Sequence, residues 1–303
     1  MYRTYLNLQI IYNCVIATIS LSESYTNAAT DTNINKSALP YNSVISEQIM
    51  AIPDLVAHRG IMANYPENTL ISLESALLCG AEYIEFDVQC TADGQLVVIH
   101  DIDLFRTTGV QGKLFEMSYS EIKNIRAHEP ERFSLAFFNQ HIPLLSEVVQ
   151  LLQSYPQATA FVEIKEETLQ QYGTAHIMPD LLKTLDIVRS QCVIISFDKS
   201  AIEYTKENSE FLSGWVLHKY NEDYHQQVKK LSPDYLIINH RKIPENADPW
   251  PGDWRWMVYD ITDPELALHY ASHNITLIET CDVCTMFEHP ILALNKSSTQ
   301  LNL

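Results

Sequence analysis

The sequence predicts a parallel (β/α)8 barrel of the TIM type, a single domain with a small cap-like connection. Three observations lead there. From Met50 onward, short apolar runs with strand character alternate with longer segments of helical period, the pattern of repeated βα units. Charged and polar residues fall at the C-terminal ends of the early runs, where a barrel gathers its reactive groups. No glycine-rich nucleotide loop follows the first run, and the chain has only 8 glycines, which sets a doubly wound open sheet behind the barrel.

A chain of 303 residues with 46% hydrophobic content can bury one large core. Its formal net charge of −18 repels nucleic acid and anionic membrane, so nucleic acid is not expected as a partner, and no stable membrane span is expected. An anionic substrate would depend on cations concentrated within its site. The cysteines are scattered, and a domain of this size needs no disulfide. Cys281 and Cys284 make a lone Cys-x-x-Cys without further ligands and read as two ordinary thiols.

Residues 1–49 differ from the rest. Residues 6–22 are partly apolar behind Arg3, like a weak leader, but Asn7, Gln9 and Asn13 leave them marginal as a membrane span. Residues 23–49 are rich in Ser, Thr and Asn and read as a linker. Translation from Met50 is the alternative. It implies a cytoplasmic protein, whereas a genuine leader implies export or anchoring. The barrel is expected over 50–290, with 291–303 as a loose polar tail.

The first strand is expected at 54–58. Pro66-Glu67-Asn68-Thr69 opens a helix in which Leu70, Leu73, Leu77 and Leu78 recur at helical spacing, and Gly80 suits its end. Residues 83–89 alternate with period two, and the turn at 91–94 leads into a strand at 96–100. The polar connection 101–142 is expected to form a small cap or short helices. Helices at 144–152, 180–188, 200–207, 223–231 and 264–272 then alternate with strands at 160–165, 193–197, 214–217, 234–239, 256–260 and 276–279. That makes nine strand candidates for eight barrel places, so one is miscounted or lies outside the ring.

His58 ends the first run, Glu85 and Asp87 stand near the end of the second, His100 ends the third, and Glu163 and Lys165 end the fourth. Residues two apart on a strand share a face, so each pair projects together. Carboxylates clustered at one barrel mouth repel one another unless a cation binds. Glu85, Asp87 and Glu163 are therefore expected as metal ligands, and an all-carboxylate set favours Mg²⁺ or Ca²⁺. Two histidines suit acid–base work near neutral pH, with Asp101 placed to orient an imidazole. Arg59 and Lys165 offer cations to a phosphate. Each group alone has a structural explanation, as a solvated strand face or an ion pair; their coincidence on successive strand ends points to a site.

Ala57-His58-Arg59-Gly60, Pro66-Glu67-Asn68-Thr69, Glu85-Phe86-Asp87-Val88, Thr91-Ala92-Asp93-Gly94 and His100-Asp101 occur in an order and spacing that resembles the glycerophosphodiester phosphodiesterase family. Leu104-Phe105-Arg106-Thr107-Thr108-Gly109, Glu163-Ile164-Lys165 and Ser196-Phe197 continue the resemblance, which fades beyond residue 200. It implies a (β/α)8 barrel that cleaves small-molecule glycerophosphodiesters to sn-glycerol 3-phosphate and an alcohol. It gives His58 and His100 the catalytic roles, Glu85, Asp87 and Glu163 the metal, and Arg59 and Lys165 the phosphate. The chain departs from the family at Trp256-Met257-Val258-Tyr259-Asp260 and Ile278-Glu279-Thr280-Cys281-Asp282, on strands that shape the leaving-group side. A lysophospholipase D, a sphingomyelinase-D-like or a phosphatidylinositol phospholipase-C-like activity is the runner-up. A non-catalytic binding protein would require loss of a ligand or a histidine, and none is lost.

Overall fold

The computed structural model describes residues 51–245 and 247–297; the leader-like stretch, the linker, Met50 and the end of the tail lie outside the described residues. Its strands are β1 (Asp54–Ala57), β2 (Tyr83–Cys90), β3 (Leu96–Val98), β4 (Thr159–Ile164), β5 (Cys192–Ser196), β6 (Leu212–Leu217), β7 (Tyr235–Asn239), β8 (Arg255–Tyr259) and β9 (Leu277–Thr280). β1, β2 and β4–β9 pair in parallel round a closed ring, with β1 bonded to both β2 and β9. β3 lies outside it, antiparallel on the end of β2, with Val88 opposite Val98 and Cys90 opposite Leu96. The turn between these strands only reverses the chain, whereas a parallel neighbour needs a crossover of about a dozen residues or more. The surplus strand candidate is therefore the one that leads to His100.

Strand parity divides the core into two layers. Val56, Phe161, Val193, Ile237 and Leu277 fill the barrel interior. Ile84, Phe86, Val162 and Ile194 point outward beneath the helices. This is why the strands read as continuous apolar runs: they are buried on both faces. The helices Leu70–Leu78, Leu145–Ser154, Thr174–Leu185, Lys199–Asn208, Glu222–Leu231 and Pro264–Ser272 follow the expected sequence. One further helix, Glu166–Tyr172, starts directly after Lys165; its seven residues are too few to show a periodic signal.

The connection after β3 is a cap with its own small core. Three one-turn helices, Phe105–Thr108, Tyr119–Ile122 and Pro130–Phe133, enclose Leu104, Leu114, Ile122 and Ile142 against Val97 and Ile99. The tail is not loose from residue 291. Leu292 is fully buried, Asn295 Nδ2 donates to the Ile52 carbonyl at 3.1 Å, and the Ser297 N–H donates to the Gly80 carbonyl at 3.0 Å. No helix among the described residues is long and apolar enough to cross a membrane.

Cys79 and Cys284 form a disulfide, with Cα atoms 5.9 Å apart; Cys281 remains free. This corrects the expectation of ordinary thiols. The ring places β9 beside β1, which brings the short helix Val283–Met286, after β9, against the end of the helix Leu70–Leu78. A link across 205 residues restricts the unfolded chain strongly, and its reduction is expected to cost about 2–4 kcal/mol. Urea unfolding with and without a phosphine reductant, and of Cys284→Ala, measures that loss. Equal midpoints would show that the bridge is absent in solution.

Candidate active site

The segment after β1 is shaped by backbone demands. Arg59 and Gly60 both have positive φ, 53° and 79°, so the chain turns sharply as it leaves the barrel. A Cβ on Gly60 would lie 2.4 Å from Ser72, so only glycine fits there. Ser72 Oγ donates to the Arg59 carbonyl at 3.0 Å, and Thr69 caps the helix by accepting from the Ser72 N–H at 3.3 Å. The turn therefore presents the Arg59 side chain and the Arg59 N–H to the barrel mouth.

The Pro66–Thr69 segment clamps that mouth. Asn68, at φ 57°, donates from Nδ2 to Asp87 Oδ2 at 2.8 Å and accepts from the Asp87 N–H at 3.1 Å. Glu67 is 4% exposed yet ionic: it accepts from Arg59 Nη1 at 2.8 Å and from Arg106 Nη1 and Nη2 at 2.7 Å each. Burial opposes its ionisation, but the hydrogen bonds from Arg106 and the charge of Arg59 hold its carboxyl below the ordinary range. The Glu67 N–H donates to Glu129 Oε1 at 2.6 Å, which ties the cap to the rim.

Asp87 is paired with two cations: Arg59 Nε at 3.1 Å and Lys165 Nζ at 3.3 Å. Burial works against its charge, but Lys165 and Arg59 keep it ionised. Lys165 Nζ also donates to Glu163 Oε1 at 2.8 Å. Glu85 differs. Its Oε2 accepts the Arg59 N–H at 3.0 Å, while its buried Oε1 has no hydrogen-bond partner. Burial, then the charges of Asp87 and Glu279, push the Glu85 carboxyl well above the ordinary range. One oxygen each from Glu85, Asp87 and Glu163 lies within 4.8 Å of the others, so the expected ligand set converges.

Both histidines reach the same cavity of about 190 Å³, lined also by Arg59, Glu163, Lys165, Tyr259, Asp260 and Glu279. His58 Nε2 stands 4.0 Å from Glu85 Oε2. Burial, reinforced by Arg59, lowers the His58 imidazole to about 4, so it is neutral at pH 7. His100 does not sit at a barrel-strand end, contrary to expectation. The β3 hairpin carries it back, with the Ile99 N–H donating to the Asp87 carbonyl at 3.1 Å and Gln89 Nε2 donating to the His100 carbonyl at 2.8 Å. His100 Nδ1 lies 2.6 Å from Asp101 Oδ1, and Arg106 Nε donates to Asp101 Oδ2 at 2.5 Å. Asp101 thus orients the ring as its position suggested.

The seven expected residues come together. Sequence reasoning assigned no role to Asn68, Glu67 and Arg106, although they stand inside the motifs it used. It treated Glu279 as a departure, and the signal there was a charge within an apolar strand.

A model of the glycerophosphoryl diester phosphodiesterase family matches residues 58–249. A glycerophosphodiester phosphodiesterase of Bacillus altitudinis is 35% identical over 152 residues, 49% of this chain and 59% of its own length. One from Caldanaerobacter subterraneus subsp. tengcongensis is 32% identical over 197 residues, 63% of this chain and 78% of its own. The match thus spans less than two thirds of the Bacillus protein. Among solved structures, an Oleispira antarctica phosphodiesterase in complex with its product sn-glycerol-3-phosphate superposes with a TM-score of 0.70 at 23% identity, covering 78% of this chain and 96% of that one. A glycerophosphodiester phosphodiesterase from Agrobacterium tumefaciens gives 0.61 at 24% identity, covering 77% and 99%. At these identities the structural likeness establishes the barrel alone.

Proposed function

This chain belongs to the glycerophosphoryl diester phosphodiesterase family, and we infer that it hydrolyses glycerophosphodiesters to sn-glycerol 3-phosphate and an alcohol. The observation that carries this reading is one cavity holding two histidines of unlike surroundings beside an acidic cluster and two cations. The donors suit a divalent cation. The orphaned Glu85 Oε1 is a buried acceptor without a partner, and oxygen-only ligation fits Mg²⁺ or Ca²⁺. Glu85, Asp87 and Glu163 would hold the ion, which when bound would neutralise charge on phosphoryl oxygens.

The protein's own groups divide the proton work. His58, neutral and without a hydrogen bond to its ring among the described residues, accepts the proton of the attacking hydroxyl. Water attack gives glycerol 3-phosphate directly; attack by the neighbouring glycerol hydroxyl gives a cyclic phosphate, which a water then opens as His100 takes its proton and His58 returns one to the glycerol oxygen. His100, oriented by Asp101 at Nδ1, is assigned to pass a proton from Nε2 to the leaving oxygen. Lys165 and the Arg59 guanidinium, fixed by Glu67, face the phosphoryl group.

The test is release of glycerol 3-phosphate from glycerophosphocholine by the purified full chain. Treatment with EDTA is expected to abolish release, and added Ca²⁺ or Mg²⁺ to restore it. Activity undiminished by exhaustive chelation would overturn the assigned role of the carboxylates. Release of choline from lysophosphatidylcholine alone would favour the lysolipid reading.

A further inference from the structure

The buried carboxylates in the mouth outnumber the cations paired with them. Arg59 is engaged by Asp87 and Glu67, and Lys165 by Asp87 and Glu163. Two carboxylates then remain with no side-chain cation, Glu85 and Glu279. Glu279 is 4% exposed, lines the cavity, and makes no hydrogen bond or ion pair through its carboxylate among the described residues. β9 aims it inward because it shares parity with Leu277, which lies in the barrel interior. A glutamate there is costly in an otherwise apolar layer and needs compensation. Its oxygen, the nearest oxygen of Glu85 and a ring nitrogen of His58 lie within 4.8 Å of one another. Glu85 thus belongs to both acidic groups, and its Oε1 is the buried atom without a partner.

We propose that Glu279 is a fourth carboxylate of the divalent-cation site, reaching the ion from β9 and sharing it with Glu85. The proposal rests on the cation reading above. Two carboxylates without a cation of their own, once deprotonated, would match the two positive charges of one divalent ion. Four carboxylates also suit Ca²⁺, which takes about 6–8 oxygen ligands, better than Mg²⁺, which keeps more of its water.

Isothermal titration of the full chain with Ca²⁺ and with Mg²⁺, alongside thermal unfolding, tests this without recourse to activity. The wild type is expected to bind one Ca²⁺. Glu279→Gln is expected to raise the Ca²⁺ Kd at least tenfold, to raise the Mg²⁺ Kd less, and to increase the unfolding temperature of the ion-free protein by removing a buried carboxyl that has no partner. Glu279→Ile, which suits an apolar strand, is expected to weaken Ca²⁺ equally. Wild-type Ca²⁺ affinity in both variants, with only the ion-free midpoint shifted, would overturn the role of Glu279 and leave the cation reading standing. No ion bound by the wild type would overturn both.

Discussion

His58→Gln and His100→Gln are each expected to lower kcat by about 10²–10⁴-fold, the usual worth of a positioned acid or base. The double variant is expected to lose little more than the worse single one, because the proposed acid and base would act on one proton inventory. The pH profile separates their roles. A base must be unprotonated, and burial with Arg59 holds His58 down at about 4. The acidic limb of kcat/KM is therefore expected below pH 6, under the ordinary histidine range. A limb at or above the unperturbed value near 6.5 would exclude His58 as the titrating base. Stability gives an independent reading. Between about pH 6.5 and 4 the unfolded chain protonates this histidine and the folded one does not, so stability falls as pH falls, by about 3 kcal/mol in all. His58→Gln is expected to flatten that part of the stability curve, whatever happens to turnover.

The barrel was legible because strands buried on both faces leave long apolar runs, and because parity fixes which residues share a face. Glu85 with Asp87, and Glu163 with Lys165, were predictable as inward pairs for that reason. His100 was predictable as a partner of the site but not as a hairpin residue. Periodicity marks a strand without saying whether it runs parallel or antiparallel to its neighbour. Glu67 and Arg106 were less legible still, since their importance lies in a contact across 39 residues that no local spacing encodes. The disulfide was hidden for the same reason: Cys79 and Cys284 meet only because the ring closes. Glu279 was visible as an anomaly, and only the assembled mouth, where Arg59 and Lys165 pair with other carboxylates, shows that it has no cation of its own.

Lys165→Met is expected to destabilise the ion-free protein by about 3–5 kcal/mol, the range for removing one partner of a buried pair. The Lys165 side chain is 8% exposed, and its ammonium bridges Asp87 and Glu163, so solvent cannot take over its role. The two carboxylates would not suffer equally. Asp87 keeps Arg59 and the Asn68 amide, whereas Glu163 keeps no cation. Burial already raises the Glu163 carboxyl, with Lys165 restraining that rise and Asp87 adding to it. Without the ammonium it would take up a proton more readily, and the variant's stability would increase as pH is lowered toward the raised value. A divalent cation is expected to recover part of the lost stability, because it would neutralise the same carboxylates. Turnover would stay low, because the ion would not replace the ammonium proposed to bind the phosphate. Urea midpoints at two pH values, with and without Ca²⁺, measure all of this. A loss within about 0.5 kcal/mol of zero, the ordinary scatter for surface substitutions, would show that Glu163 is neutral in the wild type and that Lys165 serves the substrate alone.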